Sequence, residues 1–232
     1  ALAALSATQF SALRSGQIQA LSTEQIGSLK NTQIQHLAEA NVTAMNTSQV
    51  AALTTSQLQV FNTAQIAALS SAQLGGMGTD QVSSLKPNLI SALRTEAIAG
   101  LSTTQMGALS VSQIVQMSSQ QIGALSDAQV AAISTTDVAA LTGRQLSAMS
   151  TSQMQALTTD QITALKPSQV VSIPTQSMAA LTAGQVSAFT AQQVAYLTNS
   201  QMGALTSDQV GAITTDQIPH LKAAQLAAVS TA

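Results

Sequence analysis

The sequence has no cysteine and no tryptophan, and aromatic residues make up only 2% of it. Without cysteine, neither a disulfide framework nor a thiolate metal site can form. Without large rings, any core must be thin and aliphatic. Charge is equally scarce: 7% of the residues are charged, and the formal net charge of -2 is spread along the chain. That excludes the basic footprint that nucleic acid requires and the polybasic patch that an anionic membrane requires. No apolar run approaches the roughly 18 residues needed for a membrane-spanning segment, and no charged stretch followed by an apolar one opens the chain as a signal peptide would.

What is present is a repeat of eight residues. Counting from Leu5 in steps of eight, all 29 positions to Val229 are apolar. A second column, from Phe10 and Ile18 to Leu226, is apolar in all 28 places. Between them a column beginning at Gln9 and Gln17 is Gln in 23 of 28 units, the exceptions being Asn41, Leu89, Ala97, Asp137 and Ser177. Two residues after the second apolar column the side chain is nearly always small, usually Ala as in Ala12, Ala20, Ala44 and Ala52, so neighbouring backbones are expected to approach closely there. No insertion or deletion breaks the frame, so residues 1–232 read as a single array with no linker. The chain begins at Ala1 and ends at Ser230, Thr231 and Ala232 within repeats, and is expected to be a segment of a longer protein.

An unbroken helix does not fit this period. Eight residues at about 100° each overshoot two turns by about 80°, which would spread the apolar columns over every face. Each unit instead carries a helix start. The residue after the Leu column is most often Ser or Thr, as in Ser22, Thr54, Ser102 and Thr158, and Gln follows three positions later, the pattern of a capping box. Leu then falls just before the cap and Ile or Val at the fourth helical position, the pairing of a hydrophobic staple. Pro87 and Pro167 land at the first helical position, where a missing amide hydrogen costs nothing. Glu24, Glu39, Asp80, Glu96, Asp127, Asp137, Asp160, Asp208 and Asp216 all fall in the first turn, as the helix dipole favours. Arg14, Lys30, Lys86, Arg94, Lys166 and Lys222 stand where one unit ends and the next begins, placed to meet the preceding helix's C-terminus; Arg144 departs from this.

The expected fold is therefore all-α, a solenoid with one short capped helix per repeat. Such helices are too short to survive alone, so stability must come from stacking the columns of successive units. A β-solenoid with eight residues per rung is the alternative, disfavoured by abundant Ala, few Asn and Gly, and the helix-end charges.

Candidate sites are few. His36 and His220 occupy the usually-Ala column 23 units apart and read as tolerated larger side chains, as does Tyr196. The hydroxyls are explained by capping, with no recurrent base beside them for nucleophilic catalysis. The acids are single and scattered, without the pairing that acid–base work or calcium binding would need. The expectation is no enzyme, no catalytic, cofactor or metal-binding residue, and no cofactor. The Gln column fits helix capping better than a ladder of amides bonded along the stack, and the methionines, such as Met45, Met77 and Met106, fall in the apolar columns as core filler. One block, TDQVSSLKP at 79–87, reappears as TDQITALKP at 159–167, with TDQIPHLK at 215–222 as a partial third copy. Block duplication explains this, and a periodic docking site is the alternative. The nearby breaks at Leu89, Ala97, Pro174 and Ser177 are expected to mark local bends.

Stretches such as LTTSQLQVF, LSTTQMGAL, LTTDQITAL and LTSDQVGAI resemble the LTTxQ[IV]xAL octapeptide tracts of very long bacterial secreted or cell-surface proteins, often described as adhesin-like. The resemblance covers essentially the whole chain. It implies an extracellular stalk or fibre with no catalytic residues to carry over, and the low surface charge adds an expectation of self-association. A solenoid binding surface and an ice- or crystal-binding array of Thr remain as other classes. The position after the cap is Thr in only 13 of 29 units, which is irregular for the latter.

Overall fold

A computed structural model of the protein describes residues 2–229; Ala1, Ser230, Thr231 and Ala232, including the sequence's closing partial repeat, lie outside the described residues. Among the described residues there is no strand, and 27 short α-helices follow one another from Ala7–Ser11 to Ala223–Val229, each four to seven residues long. The fold is an all-α solenoid of short helices.

The helices of consensus units start as the sequence predicts. At Thr54, for example, the cap residue is extended (φ -74°, ψ 157°), its hydroxyl accepts the Gln57 N–H, and Gln57 Oε1 accepts the Thr54 N–H. Where Arg14, Lys30 or Lys166 stands at the cap, the side chain has no acceptor, and only the Gln half of the box forms. Pro87 and Pro167 each open a helix. The chain then leaves the helix through an extended Leu-column residue, such as Leu157 (φ -61°, ψ 132°), directly before the next extended cap. Two extended residues in succession redirect the axis without any left-handed conformation. No positive φ occurs among the described residues, which is why the array needs no glycine at its turns.

One unit departs from the pattern. Residues 215–217 form a turn and Ile218–His220 a 3-10 helix, so Asp216 does not sit in the first turn of an α-helix as expected. Pro219 is the cause: it has no N–H to continue the helix, and its ring crowds the carbonyl four residues earlier.

The chain divides into two compact units, Ala1–Met117 and Ser118–Ala232. In each, a helix packs on the third helix after it: Ser15–Gln19 against Glu39–Ala44 in the first, Thr151–Ala156 against Thr175–Ala180 in the second. The Leu and Ile/Val columns are buried by this stacking, with Ile34, Val50, Leu58 and Ile66 fully enclosed in the first unit and Val130, Met154, Ile162 and Val170 in the second. The methionines lie in this core, Met106, Met154 and Met202 with no exposed surface. At roughly 25 cal/mol per Å2, such burial supplies the main stabilisation that a turn and a half of helix cannot supply alone.

The small column lies where turns meet. The residue before it faces a carbonyl of that column 25 positions later, as Gly27 does with Ala52 and Gly123 with Ala148. When that residue is Thr the same approach becomes a hydrogen bond, Thr43 Oγ1 to Ala68 O at 3.3 Å and Thr163 Oγ1 to Ala188 O at 3.1 Å.

Candidate functional site

The most built feature of the molecule is the Gln column. Expected to cap its own helix rather than bond along the stack, a consensus Gln such as Gln57 or Gln193 also ties one turn of the superhelix to another, while Gln9, Gln17 and Gln25, which have no earlier turn to reach, cap alone. Gln57 is 2% exposed. Its Oε1 accepts from Thr54 N at 2.7 Å, while its Nε2 donates to Ile26 O at 3.0 Å and Leu29 O at 2.8 Å. In the second unit Gln193 repeats this with Thr190 N, Ile162 O and Leu165 O. The donor reaches carbonyls 31 and 28 residues earlier, so the superhelix returns on itself after between three and four eight-residue units. Those carbonyls belong to the last turn of an earlier helix, where the Ile26 and Ile162 oxygens also accept from Leu29 and Leu165 N–H, and to the Leu that follows it, a group the short helix cannot satisfy internally.

The amide ladder and the cap are thus one device. The sequence did carry its signal. Glu serves a capping box as well as Gln does, yet the column is Gln in 23 units and Glu in none. Only an amide both accepts at the cap and donates to the neighbouring turn. Among the described residues no buried side-chain nitrogen or oxygen lacks a partner.

The exceptions behave as their chemistry dictates. Asn41 is shorter and reaches one carbonyl, Leu13 O, at 2.9 Å. Asp137, buried, accepts from Ser134 Oγ at 2.5 Å and holds the cap. Leu89, Ala97 and Ser177 are buried in place of an amide, and helices form at all three, as well as directly after Pro174. Of the basic residues, Arg94 meets a helix end, though not the preceding one: its Nη2 donates to Leu69 O at 3.3 Å, 25 residues back.

His36 is exposed, with Nδ1 2.8 Å from Thr32 O of its own helix. His220 is exposed at the end of the 3-10 helix. Among the described residues no group of three or more His, Cys, Asp or Glu side chains could hold a metal ion, and no helix is long and apolar enough to cross a membrane. Glu24 is held below the ordinary glutamate range, first by the Ser22 hydroxyl and then by its own backbone N–H. Two hollows near residues 202–229 are lined by core-column residues such as Val210, Ile213, Leu221 and Val229. Thr206 and Ser207, a cap residue and the one after it, supply the polar lining of one of them. The exposed large apolar side chains among the described residues are Val111, Val171, Tyr196, Ile218 and Leu226.

Comparison with curated proteins gives no match. The ALTTAQ repeat family matches residues 1–31, 55–87, 90–119, 106–135 and 130–167, well over half of the chain. The matched stretches carry the same hydroxyl, Gln and apolar columns, and the protein belongs to the ALTTAQ repeat family.

Proposed function

We propose that this repeat protein is a non-enzymatic structural element, forming an extended extracellular stalk or a self-associating fibre on or outside a bacterial cell. The observation that carries this reading is the employment of the polar side chains. The Gln amides and the cap hydroxyls of the consensus units are engaged in holding helices and turns together, which leaves no constellation to bind and transform a substrate. What remains outside is mostly short and uncharged, Ser, Thr, Ala and Gly, with scattered Gln, acids and the seven Lys and Arg. A chain in which 7% of the residues are charged repels its own copies weakly. Small side chains allow close approach, and a contact repeated every eight residues adds along the length.

The extracellular and bacterial parts of the reading rest on the resemblance of the LTTxQ[IV]xAL tracts to those of secreted and surface proteins. The test of self-association is sedimentation together with negative-stain microscopy at physiological salt. Filaments or bundles are expected; a monodisperse monomer at high concentration, unchanged by salt, would leave a solitary spacer as the better account. Cell fractionation tests location, and recovery only from the cytosol would sink that part.

A solenoid binding or adhesion surface is the second reading. Val171 and Tyr196, 42% and 56% exposed, are 25 positions apart, the offset at which neighbouring turns touch. Exposed apolar bulk would collect there, as it does at Ile218 and Leu226, which line one hollow of the same unit.

A further inference from the structure

In the Ala1–Met117 unit, two consecutive repeats lack the amide clamp. Leu89 and Ala97 occupy the Gln column, both almost wholly buried. Where Gln stands, the carbonyls 28 and 31 positions earlier each receive a hydrogen bond, as Ile18 and Leu21 do from Gln49, and Val82 and Leu85 from Gln113. The corresponding carbonyls here are those of Leu58, Phe61, Ile66 and Leu69. Among the described residues the side-chain donor to these four is Arg94 alone, at 3.3 Å to Leu69 O. The caps are also incomplete, since Lys86 and Arg94 accept no hydrogen bond from their helices.

Close backbone packing borders this seam. Gly100 lies so close over the Ser71 backbone, and Gly75 so close to the Gly100 carbonyl, that a Cβ on either would collide with main chain. Dispersion contacts of that kind fall away within a fraction of an ångström of separation. The Gln clamps on either side hold through donors that follow small displacements. We propose that the seam between residues 58–69 and 86–98 is a built-in yielding point, where successive turns of this unit part before any others. Nearest-neighbour arrays open first at their weakest interface. A stalk carrying such a seam has a defined place to give under load.

The absence of cysteine supplies the test. Leu69→Cys and Leu53→Cys place a single thiol in the same buried column by the same truncation; the Leu53 carbonyl is clamped by Gln81, that of Leu69 held by Arg94. Labelling by a small thiol reagent under native conditions reads the opening of each. Each missing interturn bond shifts an opening equilibrium by about three- to tenfold, so Leu69→Cys should label about tenfold faster than Leu53→Cys. Adding Ala97→Gln should slow it, and adding Arg94→Ala should speed it further. Equal or slower labelling at Leu69→Cys would overturn the proposal, as would a rate indifferent to both added substitutions. If circular dichroism shows that Ala97→Gln does not fold, the Leu69/Leu53 comparison and Arg94→Ala decide.

Discussion

Replacing a clamp glutamine should damage the array more than removing the cap hydroxyl beside it, and the size of the effect follows from the geometry. Gln57→Leu keeps the volume and loses three short bonds, from Thr54 N at 2.7 Å and to Ile26 O and Leu29 O at 3.0 and 2.8 Å. At about 1 kcal/mol net each, that is about 3 kcal/mol. The Thr54 N–H is rehydrated, because Thr54 is exposed. The Ile26 carbonyl keeps the Leu29 N–H at 3.2 Å, but the Leu29 carbonyl is buried against the amide, and stranding it adds about 1–3 kcal/mol. The extra apolar surface of Leu returns about 1–2 kcal/mol, for a net loss of about 2–5 kcal/mol.

Gln57→Glu sharpens the test, because it preserves shape and cap acceptor but at neutral pH sets a carboxylate against two carbonyls. Burial there raises its folded pKa above the unfolded value of about 4.3. The folded state then holds the proton longer, so stability falls as pH rises through that window and is recovered below about pH 4. Urea denaturation at pH 7 and pH 4, each against the unsubstituted chain, measures both effects. If Gln57→Leu were neutral, or Gln57→Glu cost no more at pH 7 than at pH 4, the clamp would not be a source of stability.

Other outcomes are expected from the same structure. Thr158→Ala, removing one cap hydroxyl, should cost about 0.5–2 kcal/mol, and Leu157→Ala in the buried column about 2–5 kcal/mol; the reverse order in urea melts would mean the columns are misassigned. Gly16→Ala meets no atom within 4 Å and should stabilise its helix by about 0.5–1 kcal/mol, whereas Gly100→Ala, colliding with the Ser71 backbone, should destabilise by about 1–3 kcal/mol. For Glu24, the lowered pKa contributes stability above its unfolded value that is lost as pH falls through the folded one. Ser22→Ala should move its NMR-titrated pKa back up toward the ordinary range, and no movement would refute the role of that hydroxyl.

Everything decided within about four residues was legible in the sequence. Cap, staple, first-turn acids and the prolines at Pro87 and Pro167 are interactions between positions three or four apart, and each leaves its mark in an eight-residue window. The break at Pro219 was legible too, because a proline in a helix interior acts through its own missing N–H, yet the frame of the repeat drew Asp216 into a helix that does not form. The return distance was not legible. That the chain meets itself 28 and 31 residues later follows from the rotation between successive helices, an angle set by how side chains pack and not by the eight-residue period. The second task of the Gln, the substitution of Arg94 for a missing amide and the backbone contact of Gly100 with Ser71 all depend on that angle. The sequence determined one short capped helix per repeat; the packing of turn on turn decided which groups those helices bond.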